Sequence, residues 1–193
     1  HINDFLYWHQ HFYLLYFYKK YMRNRLVKNL NDDWIFRAES DSEWLKAEVP
    51  GCVHTDLISN GKIEDPFVGS NEYKLQWIAD EKWIYKKSFM LDKEVFGFEY
   101  MYIRFQGLDT YANIFLNGNQ VLKTNNMFHP WDVDAKDLLN VGQNQILIEF
   151  ESPIKKILPK MKLMDYEYPA DNDQIQKTSP FTRKAPYHYG WGW

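Results

Sequence analysis

The chain has 193 residues, of which 45% are hydrophobic and 25% are charged, and its formal net charge is −3. This length gives room for one domain with a sizeable core, and the composition is that of an ordinary globular protein. Because no basic stripe follows the first thirty residues, the charge pattern argues against nucleic acid as a partner. The single cysteine, Cys52, excludes an internal disulfide and is interpreted as a packed thiol.

The N-terminal residues 1–28 differ in character from the rest of the chain. Aromatic and aliphatic side chains crowd residues 5–18, but polar residues at 9–11 keep any run below the roughly 20 apolar residues of a membrane helix. The basic residues follow this stretch, which is the reverse of a secretory signal. We interpret residues 1–28 as an atypical extension outside the domain and place the domain at 29–193. A segment lying on a membrane surface is the alternative.

Alternation of apolar and polar residues dominates the middle of the chain and predicts strands. The predicted strands cover 82–91, 100–105, 111–116, 119–123 and 144–150. Asn117-Gly118 lies between two of them and predicts a type I′ hairpin turn, which needs positive φ at both positions. One short helix is predicted over 54–61, ending at Gly61, with a further helical turn over 135–139. The pattern predicts an all-β fold, a jelly-roll sandwich.

The C-terminal residues 151–193 are predicted to form a long irregular segment, because five prolines interrupt them. The last seven residues contain four aromatic rings, each able to bury roughly 150–250 Å². Rings of this size need a partner, so we interpret the chain as one piece of a larger protein, and we expect this segment to contact a ligand. The candidate substrate-binding residues are Arg183, Tyr187, His188, Trp191 and Trp193. Packing of the same rings at a domain interface is the alternative reading.

Several stretches share their order and spacing with one family. They are 49–57, 71–72, 76–78, 105–112, 116–118, 126–133 and 183–185. Over residues 29–193 the chain resembles the N-terminal domain of the β-mannosidases, retaining exo-glycosidases of glycoside hydrolase family 2 related to β-galactosidase and β-glucuronidase. The resemblance implies a galactose-binding-like jelly-roll domain that packs against immunoglobulin-like domains and a catalytic (β/α)₈ barrel.

The resemblance also implies where the chemistry lies. The barrel supplies the nucleophile and the acid/base glutamate, so we assign no catalytic residue to this chain and expect it not to hydrolyse glycosides alone. In the family, a Gly-Trp-Asp-Trp tail lines the terminal sugar subsite. Trp191 and Trp193 match this motif, whereas Gly192 replaces the carboxylate that would accept hydrogen bonds from sugar hydroxyls. The preferred sugar therefore stays open, with a β-galactosidase or exo-β-glucosaminidase type as alternatives.

Other chemistry is not indicated. No residues have the spacing of a metal site, and we expect no cofactor. His54 and His129 are interpreted as structural, and Asp109 as a cap or turn residue. Two other functions stay open, a free-standing carbohydrate-binding module and a structural spacer. The resemblance allows a periplasmic or secreted bacterial protein or a lysosomal animal one, and the sequence does not choose between them.

Overall fold

The computed structural model describes residues 13–19, 22–170, 173, 177–185 and 188. The strands are β1 (Tyr13–Lys19), β2 (Met22–Asn29), β3 (Trp34–Ala38), β4 (Leu45–Ala47), β5 (Trp83–Leu91), β6 (Tyr100–Phe105), β7 (Ala112–Leu116), β8 (Asn119–Lys123), β9 (Trp131–Asp134) and β10 (Gly142–Phe150). The α-helices are α1 (Val53–Ser59), α2 (Asn71–Lys74), α3 (Trp77–Asp80) and α4 (Pro153–Met161). Within the described ranges, no helix is long and apolar enough to cross a membrane.

Two antiparallel sheets form the body of the domain. One has four strands in the order β2-β1-β6-β9, and the other has six in the order β4-β3-β5-β10-β7-β8. The central pair of the larger sheet is β5 with β10, which are in register from Leu91 opposite Gly142 to Trp83 opposite Phe150. The predicted all-β sandwich is confirmed.

The core lies between the inner faces of the two sheets. Alternate residues of β6 point inward, so that Met101, Ile103 and Phe105 are buried, and β7 shows the same alternation. Burial of this kind on both sheets supplies the main stabilisation, at roughly 25 cal/mol for each Å² of apolar surface removed from water. The largest fully buried side chains include Trp34 and Phe36 of β3.

The hairpin predicted at Asn117-Gly118 is confirmed. The φ angles are 49° at Asn117 and 83° at Gly118, the left-handed values that a type I′ turn requires. The side chain of Asn117 also forms hydrogen bonds to residues outside this turn. Its amide nitrogen donates to the carbonyl of Leu138 at 2.8 Å and to Oδ1 of buried Asn144 at 2.9 Å, which links the hairpin to β10.

The predicted short helix is present as α1, shifted by one or two residues. Its N-cap is Cys52, and the Thr55 hydroxyl accepts from the backbone N–H of Cys52 at 3.3 Å. Gly61 has a φ of 66°, as expected of the glycine that ends a helix, and its N–H donates to Ile58 at 2.9 Å. Residues 135–139 form a hydrogen-bonded turn and no helix.

The prediction of irregular structure after residue 150 was wrong for α4. Ser152 caps this helix, since its hydroxyl accepts from the N–H of Lys155 at 3.2 Å, and Pro153 occupies the first turn, where no N–H bond is lost. Pro153 therefore marks the start of a helix and does not interrupt regular structure. The short helices α2 and α3 were also missed.

The N-terminal strands β1 and β2 belong to the smaller sheet. Strand β1 lies between β2 and β6, and Leu15 is fully buried. The sheet thus includes residues of the extension predicted at 1–28, of which 1–12, 20 and 21 lie outside the described residues. The position of the domain boundary stays a prediction.

Candidate functional site

The C-terminal tail, defined here as residues 177–193, begins at a turn built around Asp173. The buried carboxylate of Asp173 accepts hydrogen bonds from the Thr178 hydroxyl at 3.0 Å and from the Ser179 N–H at 3.1 Å. A short 3-10 helix, Ser179–Phe181, follows. A carboxylate that accepts several local donors fixes a loop strongly, because charge-assisted hydrogen bonds are roughly twice as strong as neutral ones.

The tail then docks on loops at one end of the sandwich. Strands β7 and β8 are antiparallel neighbours, so the loop that precedes β7 and the loop that follows β8 lie side by side. Arg183 pairs with Asn126 in a parallel bridge, and the N–H of Met127 donates to the carbonyl of Arg183 at 3.0 Å. The phenol of Tyr111 donates to the carbonyl of Phe181 at 3.4 Å. Among the described residues of the tail, the backbone is therefore held at Phe181 and Arg183.

The loop before β7 is itself rigidly held beneath the tail. The hydroxyl of Thr124 donates to the carbonyl of Thr110 at 2.9 Å and accepts from the N–H of Ala112 at 3.0 Å, and this threonine is buried. The peptide bond between Asp109 and Thr110 is cis. The two hydrogen bonds of Thr124 fix the backbone that carries the Asp109 carboxylate.

Asp109, Lys184 and His188 form a buried charged cluster, which we call the tail anchor. Oδ2 of Asp109 accepts a hydrogen bond from Nζ of Lys184 and lies 3.2 Å from Nδ1 of His188. The three side chains are only 10%, 18% and 11% exposed, respectively, so solvent screens their interactions little. Burial alone would raise the pKa of Asp109, but the ammonium of Lys184 and the neighbouring imidazole of His188 outweigh it and hold that pKa far below its usual range.

His54, on helix α1, lies close enough to the tail anchor to sense its charge. Burial lowers the pKa of His54, and the ammonium of Lys184 lowers it further. A neutral imidazole is consequently favoured at this position. The tail anchor places one carboxylate against Lys184 and His188. Such an arrangement can fix a loop, and it does not contain the pair of acids between which a proton could be transferred.

The structure brings only part of the predicted site together. His188 lies in the tail anchor, whereas Arg183 has an exposed side chain and contributes through its backbone. Tyr187, Trp191 and Trp193 lie outside the described residues, so their assignment stays a prediction. Among residues the structure describes, no three histidine, cysteine, aspartate or glutamate side chains come together as metal ligands would.

Two residues of the cluster were not predicted from the sequence. Asp109 was interpreted as a cap or turn residue, and Lys184 was only part of a matched motif. The sequence contained one indication that these two residues matter: both lie in stretches that carry the family resemblance, at 105–112 and 183–185. Their charges gave no indication of contact because 75 residues separate them.

Two antiparallel sheets with a buried core between them make this chain a β-sandwich module. Comparison with known families supports this class: the model of the family described as glycosyl hydrolase 2 galactose-binding domain-like matches residues 34–193. The chain belongs to this family.

The relatives are proteins much longer than this chain. Beta-mannosidase B of Thermothelomyces thermophilus is 35% identical over 179 residues, covering 89% of this chain and 20% of that protein. A crystal structure of beta-D-mannosidase from Dictyoglomus thermophilum shares 42% identity with a TM-score of 0.79, covering 85% of this chain and 20% of that one. The exo-chitosanase CsxA of Amycolatopsis orientalis, at 18% identity and a TM-score of 0.54, shares the fold alone. The chain thus spans about a fifth of the length of these β-mannosidases.

Proposed function

We propose that this chain is the N-terminal accessory domain of a retaining exo-β-mannosidase-like glycoside hydrolase. In this role it packs on a catalytic (β/α)₈ barrel and immunoglobulin-like domains of the same polypeptide and lends its aromatic tail to the terminal sugar subsite. The observation that carries the proposal is its match to a fifth of a protein named as a β-mannosidase, at 35% identity. The docking of the tail on a rigid loop supports it further.

The physical role of the domain in such an enzyme is to hold a loop in place before substrate arrives. Ordering a flexible side chain on binding costs about 0.5–1.5 kcal/mol, and a loop already fixed by the sandwich avoids part of that cost. Aromatic rings are suited to the apolar C–H faces of a pyranose, since they offer large contact area with few rotatable bonds. Trp191 and Trp193 are the residues to which we assign this contact, with Tyr187, His188 and Arg183 beside them.

The catalytic groups belong to the barrel in this proposal. Retaining hydrolysis needs two carboxyl groups about 5–5.5 Å apart, one as nucleophile and one as acid/base. The buried carboxylates described above, Asp109 and Asp173, are each occupied by hydrogen bonds that hold the tail. We therefore propose that the 193-residue chain alone does not hydrolyse glycosides.

The sugar preference of the family does not transfer directly to this chain, because Gly192 stands where the family usually has a carboxylate. Losing one hydrogen bond from a charged acceptor to a sugar hydroxyl costs about 1.5–3 kcal/mol. A β-mannoside is the first substrate to test, and β-galactosides and β-glucosaminides are the alternatives.

An exposed pair of tyrosine rings favours a second candidate, a free-standing carbohydrate-binding module. Tyr166 and Tyr168 are 59% and 40% exposed, their ring centroids are 4.9 Å apart, and their hydroxyls lie 2.7 Å apart. Tyr168 also packs against Phe181 at the start of the tail, with ring centroids 5.3 Å apart. Preorganised exposed rings of this kind can stack on a sugar without help from another domain.

Two measurements separate the candidates. Titration of the 193-residue chain with β-1,4-manno-oligosaccharides, followed by tryptophan fluorescence, is expected to give binding in the millimolar range or none. Micromolar binding would instead support the free-standing module. Aryl β-mannoside hydrolysis by the longer polypeptide that contains this domain is expected, and its absence would overturn the mannosidase assignment.

Variants of the longer polypeptide test the tail directly. Trp191→Ala and Trp193→Ala are each expected to lower kcat/KM for an aryl β-mannoside by about five- to 150-fold, because stacking on one aromatic ring contributes roughly 1–3 kcal/mol. Trp44→Phe is the control, since Trp44 stacks beneath Lys86, 3.9 Å from its ring centroid, in the β3–β4 region. Equal activity in all three variants would contradict the role of the tail.

A further inference from the structure

The loop between α1 and β5 carries three large apolar side chains that the sandwich leaves exposed. This loop, residues 60–82, includes the short helices α2 and α3. Val68 is 62% exposed, Tyr73 is 74% exposed and Trp77 is 45% exposed. We call these three side chains the loop patch. Exposed apolar residues that stand singly are ordinary on a protein surface, whereas several large ones in one loop are typical of a contact surface.

The backbone beneath the loop patch is fixed. The side-chain amide of buried Asn71 donates to the carbonyl of Asp65 at 3.0 Å, which closes the loop around α2. The indole N–H of buried Trp83 donates to the carbonyl of Ile78 at 3.0 Å, and the rings of Trp77 and Trp83 have centroids 6.0 Å apart. A long loop held in this way is usually functional. Because its backbone is already ordered, covering the patch costs little conformational entropy.

The loop joins the larger sheet at the end where the tail docks. Trp83, at the start of β5, pairs with Phe150 at the end of β10, and Phe150 pairs with Ala112 at the start of β7. Directly before β7, the phenol of Tyr111 donates to the carbonyl of Phe181 in the tail. In the longer polypeptide proposed above, the residues that follow the tail would therefore start from the same end of the sandwich as the loop patch.

We propose that the loop patch is the surface on which another domain of the longer polypeptide packs. The inference rests on the proposed function and names the surface through which this domain meets its partner. The β-mannosidases that it resembles have about four fifths of their length outside the match, since the chain covers 20% of each. A partner in the same polypeptide needs only a small apolar contact, because the covalent linkage supplies a high effective concentration.

The surroundings of the patch indicate the chemistry of the partner surface. Glu64 and Lys74, which lie in the same loop, form an exposed ion pair of 3.7 Å. Interfaces commonly have an apolar centre and a polar, hydrated rim. We expect an apolar partner surface opposite the loop patch and polar groups opposite this ion pair.

Thiol reactivity measures whether the loop patch is covered. In a Cys52→Ser background, Val68→Cys and Tyr73→Cys are each made in the 193-residue chain and in the longer polypeptide. Both introduced thiols are expected to react with an aromatic disulfide reagent about tenfold more slowly, or slower still, in the longer polypeptide, because the reagent reaches them only when the domains separate. Equal rates in the two proteins would overturn the proposal. Urea unfolding of each 193-residue variant, expected to match the wild type, establishes that the fold is kept.

Val141→Cys is the matched control. Val141 is 57% exposed and precedes Gly142, which starts β10 at the end of that strand away from Phe150. Its thiol is expected to react at the same rate in both proteins. Equal protection at 68, 73 and 141 would overturn the proposal, since the cover would not be specific to the loop patch. Protection that appears in the 193-residue chain and grows with protein concentration would also overturn it, by assigning the patch to a second copy.

A charged substitution tests whether the contact is apolar. Tyr73→Asp is expected to leave the thermal unfolding of the 193-residue chain unchanged, because this side chain is exposed there. In the longer polypeptide the same change is expected to accelerate the reaction of the Val68→Cys thiol by about fivefold or more, since burying an unpaired carboxylate disfavours the packed state. An unchanged rate would overturn the assignment of an apolar contact.

Activity separates this inference from the proposed function. If the longer polypeptide does not hydrolyse aryl β-mannosides but the thiols at 68 and 73 are protected, the proposed function fails and the loop patch stands as a packing surface. If the polypeptide hydrolyses them and both thiols stay fully reactive, the proposed function stands and the inference about the loop patch is overturned.

Discussion

The phenol of Tyr85 donates a hydrogen bond of 2.8 Å to Oδ2 of Asp56, which joins the central strand β5 to helix α1. The other oxygen of this carboxyl, Oδ1, accepts from the backbone N–H of Glu48 at 2.8 Å. Burial raises the pKa of Asp56 to about 6, even though both hydrogen bonds favour the charged form. One titratable side chain therefore ties the helix to the sheet and changes its charge close to neutral pH.

The first prediction concerns the pH dependence of stability. Because the folded-state pKa of Asp56 is about 6 and its ordinary value is 3.8, the folded protein holds this proton more tightly than the unfolded chain does. The resulting stabilisation is complete below pH 3.8 and is lost as the pH rises through about 6, with an upper limit of about 3 kcal/mol. Unfolding in urea between about pH 4 and pH 7 measures it.

Asp56→Asn isolates this contribution. The amide oxygen can still accept from Glu48, and the amide nitrogen can donate to the Tyr85 oxygen, so the variant keeps both contacts without a titrating group. We expect a flatter dependence of the unfolding free energy on pH over the same range. The exposed Asp132→Asn is the control, and an unchanged slope in Asp56→Asn would show that other groups cause the dependence.

The second prediction concerns the side chain of Asn117. Asn117→Gly keeps the positive φ of the turn but leaves the Gln145 N–H without its 2.9 Å acceptor and Asn144 without one of its donors. We expect a loss of about 1–3 kcal/mol in the free energy of unfolding, since buried Asn144 loses a donor and the Gln145 N–H loses its acceptor. Chemical denaturation measures it. Asn119→Gly, on the same hairpin with an exposed side chain, is the control, and equal losses in both would assign the effect to the backbone.

The third prediction concerns Lys87, which interrupts the apolar face of β5. Its side chain is 6% exposed, and its ammonium donates to the carbonyl of Asp32. Burial lowers the pKa of Lys87, because the packed sheets remove its ammonium from water. We expect Lys87→Met to match or exceed the wild-type stability by up to about 1 kcal/mol, because it removes the cost of burying a charge.

A cavity variant provides the comparison for Lys87. Lys87→Ala removes the apolar stem as well and is expected to lower the unfolding free energy by about 1–3 kcal/mol. Thermal unfolding of the two variants at neutral pH distinguishes the contributions. If Met is as damaging as Ala, the hydrogen bond from the ammonium to Asp32 outweighs the cost of desolvation.

The fourth prediction concerns the N-terminal strands. Because β1 is paired on both sides and Leu15 is fully buried, we expect trypsin to cut the bonds after Arg25 and Lys28 in β2 slowly. The bond after Lys162, in the turn that follows α4, is expected to be cut faster and serves as the internal reference. Rapid removal of residues 1–28 with unchanged thermal stability would instead support the prediction that these residues lie outside the domain.

Local structure was largely predictable where short-range preferences decide it. The turn at Asn117-Gly118, the alternation in β6 and β7, and the glycine stop of α1 all follow from the conformations that those residues favour. Helix α4 was not predictable by the same means. Its prolines break helices in general, and only the cap at Ser152 and the place of Pro153 in the first turn make them compatible with one.

The candidate site shows the same division. The sequence indicated the family through ordered motifs, and the assignment of His188 and Arg183 to a sugar site, made from their setting in an aromatic tail, stays a prediction. It could not indicate that Arg183 acts through its backbone, because a parallel bridge to Asn126 requires the loop after β8 to lie beside the tail. Lys87 is a similar case, since only the packed sheets show that its ammonium reaches Asp32.

By itself, the sequence determined strands β5 to β8 and β10, the hairpin and membership of a glycosidase-associated family, because these depend on residue preferences over a few positions and on motif order. Only the tertiary structure decided that Asp109 meets Lys184 across 75 residues of chain. Contacts at that separation depend on how the intervening strands pair and pack. The burial that results also sets the strength of the ion pair, since charges removed from water interact through a lower effective dielectric constant.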